Sequence, residues 1–486
     1  MATENTHYGA AAIARCLSGC RSVYFIGIGG INMSSLAHIT HTRGYRVGGS
    51  DRTATALTER LTQEGITIFY THDASHVEDY DAVVYTVAIS PDNPEYVRAI
   101  ERGIPCISRA DYLGYLMMGY RRRIGIAGMH GKSSCTSMCA EVLLAAGGEP
   151  TVLSGAELAA MDGAYHVGRT ENFVFEACEY MDSFLDFNPT VAVILNIEMD
   201  HVDYFKSMEQ IRTSFARFAA LTGKTGYAVY NGDDSEVLAA LSDYAGNRLS
   251  FGIAGEDLTY RAGDIRLENG CASFDLIKEK QFLCRVCLSV TGYHHIYNAL
   301  ACAAVCDLCG LSPAEIASGL ARFGGAKRRM ERKGTLGGAA VYDDYGHHPT
   351  EIRTTLQGAK GMVAEGGRLF CVYQPHTYSR TAALLDDFVS ALSVADRVLM
   401  VDIYAARETD TLGVSSALVA ERIGEKADCP ATFDAAAKQL KREVTPNDTV
   451  IIMGAGDVYK VFDCLEDAGD AEDAEDARYF SFRKEK

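Results

Sequence analysis

Nowhere in these 486 residues does an apolar run reach the length of about 20 that a membrane-spanning helix needs. The opening stretch, MATENTHYGA, has neither the basic start nor the apolar core of a secretory signal. A positive excess is missing too. The formal net charge is -18, which argues against a general binder of nucleic-acid polymers but not against a nucleotide held at a local site. Fifteen cysteines are scattered along the chain, yet no paired Cys-x-x-Cys zinc arrangement occurs; Cys306-Asp307-Leu308-Cys309 stands alone on an apolar helical stretch. Reduced thiols packed in cores, in a cytoplasmic protein, are the expectation. No repeat of solenoid period is evident. What is present is apolar residues in quantity, 48% of the chain, in a sequence too long for one core. Roughly two to four domains are expected.

The most informative stretch is Gly125-Ile126-Ala127-Gly128-Met129-His130-Gly131-Lys132-Ser133-Ser134. An apolar strand runs into glycines, then a lysine and two hydroxyls, then a helix-forming run over about 135–145. Glycines let backbone amides approach a phosphate, the helix N-terminus favours the anion, and the lysine neutralises terminal oxygens. The Ser133 hydroxyl can hold Mg2+. The bland alternative is a glycine-rich turn with a chance Lys-Ser pair.

Three segments follow from a pass along the chain: about 1–120, 121–330 and 331–486. The first has strands near 23–26, 45–47 and 83–86 in strand-turn-helix alternation. The second opens at the phosphate loop and holds a buried-looking strand at 191–195. The third alternates again: strands at 340–343, 369–373, 398–401 and 450–453, helices after Pro349 and through 384–392. Pro349 suits a first helical turn. The tail from Glu466 is acidic (Asp467, Asp470, Glu472, Asp473, Glu475, Asp476) and reads as a frayed helix or solvated end.

Two further places invite ligands. The cluster Gly27-Ile28-Gly29-Gly30-Ile31-Asn32-Met33 follows a strand, but Asn32 occupies the third glycine position of a dinucleotide fingerprint. Asp51 stands a plausible distance on for a ribose contact. An NAD site, the diphosphate of another nucleotide, or an empty tight turn all remain open. Downstream, Phe175-Glu176-Ala177-Cys178-Glu179 and Asn196-Ile197-Glu198-Met199-Asp200-His201-Val202-Asp203 each put carboxylates at the end of an apolar strand, where ligands bind in open α/β sheets. With Ser133, a carboxylate such as Glu176 and an imidazole such as His201 can hold Mg2+. The alternative for Asp200, His201 and Asp203 is a polar helix N-terminus.

These segments resemble the Mur ligases, ATP-dependent amide ligases of bacterial cell-wall precursor synthesis, and in particular their alanine-adding branch. The likeness covers nearly the whole chain except its ends. It rests most sharply on Asp343-Asp344-Tyr345-Gly346-His347-His348-Pro349-Thr350-Glu351, Gln374-Pro375-His376-Thr377-Tyr378-Ser379-Arg380-Thr381 and Met453-Gly454-Ala455-Gly456-Asp457. The resemblance implies an α/β fold of three domains: a doubly wound UDP-binding domain, a central P-loop ATPase-type domain and a C-terminal Rossmann-like amino-acid domain. It implies ATP and Mg2+ as cofactors and UDP-N-acetylmuramate and L-alanine as substrates, joined through an acyl phosphate. The UDP-sugar would lie on Gly27, Gly29, Gly30, Met33, Ser34 and Asp51. ATP would lie on Gly128, His130, Gly131, Lys132, Ser133 and Ser134, with His294, Asn298, Arg329 and Asp344; Arg328 pairs with Arg329 in the matched string. The metal would sit on Ser133, Glu176 and His201. Tyr345, His376 and Arg380 would take the amino acid, and Lys132, Glu176, His201, His348 and Arg380 would carry the chemistry. A cytoplasmic monomer or homodimer without membrane contact is implied.

Several residues depart from the family pattern. Ser133 stands where threonine is usual, His295 where asparagine is usual, and Thr377 where many relatives carry arginine. The loop from Met161 to Gly168 lacks the usual Asn-Ala pair. No lysine occurs in Ser214-Phe215-Ala216-Arg217-Phe218-Ala219, where several Mur ligases carry a lysine carbamate. Three alternatives stay open. One is a recycling ligase that attaches a tripeptide to the same sugar nucleotide. Another is a nucleotide-binding relative without catalysis, and the third is a nicotinamide dehydrogenase, suggested by the first glycine cluster alone.

Overall fold

Strand β1 (Ser22–Ile26) is buried at all five positions, as a strand covered on both faces must be. The computed structural model describes residues 3–161, 163–202, 204–268, 270–406, 408–466 and 480–482. The chain packs as two compact units. One holds the residues up to Ile197 with Glu209–Tyr260 and Ala301–Glu315; the other holds Glu198–Met208, Arg261–Leu300 and the residues from Ile316 onward.

In the first unit, β1, β2 (Arg46–Ser50), β3 (Thr67–Phe69), β4 (Ala82–Tyr85) and β5 (Cys106–Ser108) form a parallel sheet in the order β3-β2-β1-β4-β5. The order reverses at β1, which opens a crevice at the carboxyl ends of β1 and β4. Strand β2 runs on to Ser50, beyond the expected 45–47. Gly48 and Gly49 are strand residues pressed against neighbours. A Cβ on Gly49 would stand 2.5 Å from the Phe25 carbonyl oxygen. A second set follows: β6 (Arg122–Ala127), β7 (Thr151–Leu158), β8 (Gly163–His166), β9 (Asn172–Glu176), β10 (Val191–Ile194), β11 (Tyr227–Asn231) and β12 (Asn247–Gly252). Their order is β12-β11-β10-β6-β9-β7-β8, parallel except for β7 with β8.

In the second unit, β14 (Cys271–Lys278) and β15 (Gln281–Thr291), which follow β13 (Tyr260–Glu268), pair antiparallel. The sequence reading held no such meander. A sheet then runs β20-β19-β18-β21-β17-β16-β22, built from β16 (Glu331–Leu336), β17 (Ala339–Asp344), β18 (Leu369–Tyr373), β19 (Arg397–Val401), β20 (Ala427–Ala431), β21 (Thr449–Met453) and β22 (Phe480–Phe482). It is parallel from β20 to β17, and β16 is antiparallel to both its neighbours. Apolar clusters cover both faces, one around Phe370, Val372 and Ile452, the other around Cys371, Tyr373 and Ile451. Alternate residues of β18 thus feed opposite cores. The helix expected over 384–392 is Leu385–Leu392, and a separate short helix, Tyr378–Ala383, precedes it, with Leu384 at φ -116 leaving the helical region between them. The acidic tail at Asp467, Asp470, Glu472, Asp473, Glu475 and Asp476 lies outside the described residues, as do Asp162 and Asp203. Among the described residues, no helix is long and apolar enough to cross a membrane.

Candidate active site

β6 ends at Ala127, and four residues turn the chain into the helix Lys132–Ala145, three residues earlier than the helix-forming run suggested. Gly131 makes the turn at φ 84, a left-handed conformation that costs glycine nothing. The helix therefore starts with its first amides and its positive dipole end at the loop, which is the physical basis of a phosphate site. Asn196 clamps the loop from the end of β10. The His130 amide donates to Asn196 Oδ1 at 2.9 Å, and Asn196 Nδ2 donates to the His130 carbonyl at 3.0 Å. Ser134 is buried, and the His130 side chain is half-buried.

Lys132 Nζ donates to the carbonyls of Gly128 (2.5 Å) and Met129 (3.2 Å) and to Glu179 Oε1 (3.0 Å). Burial is the largest influence and alone would lower its pKa, but the Glu179 carboxylate, with Cys178 and Glu176 adding to it, turns the net shift upward. The ammonium thus stays charged and aimed by three acceptors. At the next residue, Ser133 Oγ donates to Glu176 Oε2 at 3.1 Å, while Ser154 Oγ donates to Glu176 Oε1 at 3.2 Å. A hydroxyl and a carboxylate side by side at a strand end are hard oxygen donors, and they suit Mg2+.

The first glycine cluster forms the turn after β1. The amides of Gly27 and Ile28 both donate to the Ser50 carbonyl, at 2.8 and 2.9 Å. The Gly29 amide donates to Asp51 Oδ2 at 2.8 Å, so Asp51 at the end of β2 is tied to the turn. Gly30 caps the helix Ile31–Thr42. Met33 and Ser34 are both buried in that helix, and Ser34 Oγ donates to the Ile31 carbonyl at 2.9 Å.

The second unit gathers a different chemistry. Arg380 Nε donates to Asp200 Oδ1 at 3.1 Å, and its Nη1 lies 3.3 Å from His376 Nδ1. Arg380 and Asp200 are both nearly buried, with side chains 11% and 4% exposed. Burial is the largest influence and alone would raise the Asp200 pKa, but Arg380 and the imidazoles around it together outweigh burial and hold the carboxyl well below its usual range. The His201 amide donates to Asp200 Oδ1 at 2.6 Å, with His201 at φ 51, a conformation a non-glycine residue holds only under constraint. Burial pushes His347 down to about 4; burial and Arg380 do the same to His376. Both imidazoles are therefore neutral near pH 7, and the guanidinium is the fixed positive charge beside them. His348 caps the helix Pro349–Lys360: its Nδ1 accepts from the Thr350 amide at 3.3 Å, so its Nε2–H donates to the Met199 carbonyl at 3.2 Å.

Asp344 accepts from the Met330 amide (2.9 Å) and the Gly346 amide (2.8 Å), and burial raises its pKa to about 6 against the pull of Arg329. The guanidinium groups of Arg328 and Arg329 stand 5.0 and 5.1 Å from the Tyr345 ring centre. Arg328 also donates to the Gly454 carbonyl at 2.7 Å. On the helix His294–Leu308, Asn298 Nδ2 lies 3.5 Å from His295 Nδ1, and the His294 and His295 rings are 4.1 Å apart.

Lys132, Ser133 and Glu176 are thus brought together in one unit, while Arg380, His376 and His348 gather with Asp200 in the other; His201 belongs to that second unit. Sequence reasoning assigned no role to Glu179, Asn196 or His347. A signal existed for Glu179, which stands three residues after Glu176 at the same strand end.

Family models match along the chain: the Mur ligase family catalytic domain over residues 22–121, the Mur ligase middle domain over 126–306, and the Mur ligase glutamate ligase domain over 328–456. The UDP-N-acetylmuramate–L-alanine ligase of Acetivibrio thermocellus is 43% identical over 445 residues, 91% of this chain and 94% of its own length. That of Caldanaerobacter subterraneus subsp. tengcongensis is 44% identical over 91% of this chain and 96% of its own. Among solved structures, the UDP-N-acetylmuramate–alanine ligase of Thermotoga maritima superposes with a TM-score of 0.76 at 28% identity, covering 92% of this chain and 98% of that one. A murein peptide ligase from Psychrobacter arcticus shares the fold, with a TM-score of 0.68 at 23% identity over 91% of this chain and 98% of that one.

Proposed function

This chain belongs to the Mur ligase family, and we propose that it joins L-alanine to the lactyl carboxylate of UDP-N-acetylmuramate, driven by ATP, in peptidoglycan precursor synthesis. The observation that carries this reading is the phosphate loop, with Lys132, Ser133 and Glu176 assembled at one strand-to-helix turn. The names borne by relatives more than 40% identical supply the substrates. The γ-phosphoryl group passes to the lactyl carboxylate, and the alanine amine then displaces phosphate from the acyl phosphate. Lys132 spreads the charge of the transferring group. Ser133 and Glu176 would hold Mg2+, which when bound would supply positive charge against the phosphate oxygens. Arg380 takes the alanine carboxylate with its planar fork, and the neutral His376 and Tyr345 line that place. His348 has both ring nitrogens engaged, so its part is to position the Asp200 strand end.

The UDP-sugar lies on the Gly27–Gly30 turn with Asp51, and the adenine end of ATP lies by His294 and Asn298. Domain boundaries fall near residues 120 and 330, and the reaction runs in the cytoplasm. Mass spectrometry of the sugar nucleotide after incubation with ATP, Mg2+ and L-alanine tests the reading. Gain of one alanyl residue, absent without ATP, supports it. An unchanged sugar nucleotide with all components present overturns it.

A further inference from the structure

Under the carboxyl end of the first sheet lies a buried carboxylate that the proposed chemistry does not use. Glu95, in the first turn of the helix Pro94–Glu101, is fully buried. Four segments donate to it. Tyr24 Oη (2.7 Å) and His76 Nδ1 (3.0 Å) reach its Oε1, while Ser50 Oγ (2.6 Å) and His72 Nδ1 (2.7 Å) reach its Oε2. A carboxylate accepts and does not donate, so the His72 ring must carry a proton on Nδ1. In the neutral imidazole the lone pair is then left on Nε2. Among the described residues nothing bonds that nitrogen, and the side chain is 21% exposed.

His72 stands three residues past β3, at the strand ends where the glycine turn also lies. Phe69, the last residue of β3, pairs with Ser50, and its carbonyl accepts the Asp51 amide at 3.0 Å. The Ser50 carbonyl holds the Gly27 and Ile28 amides. Glycine turn, Asp51 and His72 thus form one hydrogen-bonded edge across β1, β2 and β3. In sheets of this kind the phosphates lie at the turn after the first strand and the ribose at an acidic residue ending the second. The base continues that line outward, toward the end of β3 where His72 stands. We propose that Glu95 sets the tautomer of His72, and that His72 Nε2 accepts the N3–H of a uracil base at this edge.

The inference rests on the reading of the Gly27–Gly30 turn as the UDP-sugar site and adds how the base is chosen. Uracil carries a hydrogen on N3, whereas cytosine has a lone pair there. A ring nitrogen with its own lone pair bonds the first and repels the second, so the site selects uridine. Methylation of N3 removes the donor and leaves Nε2 unpaired. His72 is the specificity-determining group, and Glu95 is a positioning residue that acts through it. A glutamine at 95 offers an amide N–H as well as a carbonyl, so it no longer dictates which His72 nitrogen is protonated.

The test is calorimetric titration of the full-length protein with UDP, CDP and 3-methyluridine diphosphate. The unaltered protein should bind UDP at least about tenfold more tightly than either analogue. His72→Phe keeps a ring without nitrogen, and Glu95→Gln frees the tautomer; each should bring both affinity ratios close to one. A merely structural role for these residues would weaken all three ligands alike and leave the ratios unchanged, which would overturn the proposal. The N3-methyl comparison in the unaltered protein decides the matter even where a variant fails to fold: equal affinity for UDP and its N3-methyl form overturns the proposal and leaves the UDP-sugar site standing. Absence of UDP binding altogether overturns that site and the proposal with it.

Discussion

Lys132 is held by two loop carbonyls and by Glu179, which is itself 1% exposed. Lys132→Ala should abolish ADP formation while UDP-N-acetylmuramate still binds; turnover above about a tenth of the unaltered rate, a loss under ~1.4 kcal/mol, would contradict the assigned role. The same change strips Glu179 of a cation and should lower Tm as well. Arg380 carries a parallel expectation. A charge-assisted hydrogen bond is worth roughly 1.5–3 kcal/mol, so Arg380→Ala should cut kcat/KM for L-alanine by about 10- to 150-fold. The KM for ATP should change little, and equal losses for both substrates would point to a structural role through Asp200 instead. Asp344 adds a pH dependence. Its pKa is raised by burial to about 6, above the ordinary value of about 3.9 for an unfolded chain. The folded state therefore binds the proton more tightly, and that contribution to stability is present at low pH and lost as pH rises through about 6. Asn cannot ionise, so Asp344→Asn should gain in Tm relative to the unaltered protein between pH 5 and pH 8. Thermal melts at both values check this; a gap that stays constant or narrows would refute it.

At the scale of elements, His348 separates two roles by substitution. Its Nδ1 caps the helix Pro349–Lys360, as an asparagine side chain can. His348→Ala should cost about 1 kcal/mol, and His348→Asn should restore that stability, as read by chemical denaturation. If the Met199 contact positions the Asp200 strand end, His348→Asn should still have a raised KM for L-alanine; full activity in the Asn variant would reduce the residue to a cap. The elements that were legible in the sequence share a cause. β1, β10, β18 and β21 are short apolar runs bounded by turn residues, buried on both faces, and their pattern is local. What escaped depended on distant partners. That β2 runs on through Gly48 and Gly49 shows only once Tyr80 and Phe25 are placed beside them. β14 alternates between buried and half-buried residues and the second half of β15 between buried and exposed ones, a weaker signal than a continuous run.

For the whole molecule, the three-domain α/β architecture of the Mur ligases was readable because each domain announces itself with a strand-to-glycine turn or a long motif. The candidate site was readable in part for the same reason. Ser133 and Glu176 sit in motifs that name their own chemistry, whereas the pairings Lys132 with Glu179, His130 with Asn196 and Arg380 with Asp200 join segments far apart in the chain. Local pattern carries no information on such pairs, and only the folded topology supplies it. The central claim is that this fold spends one ATP to attach a single small amino acid. An ADP-release assay with UDP-N-acetylmuramate, offering L-alanine, glycine, L-serine or the L-alanyl-γ-D-glutamyl-diaminopimelate tripeptide, tests it most directly. The account predicts ATP-dependent turnover highest with L-alanine and negligible with the tripeptide; turnover that prefers the tripeptide, or ADP release indifferent to every acceptor, would contradict it.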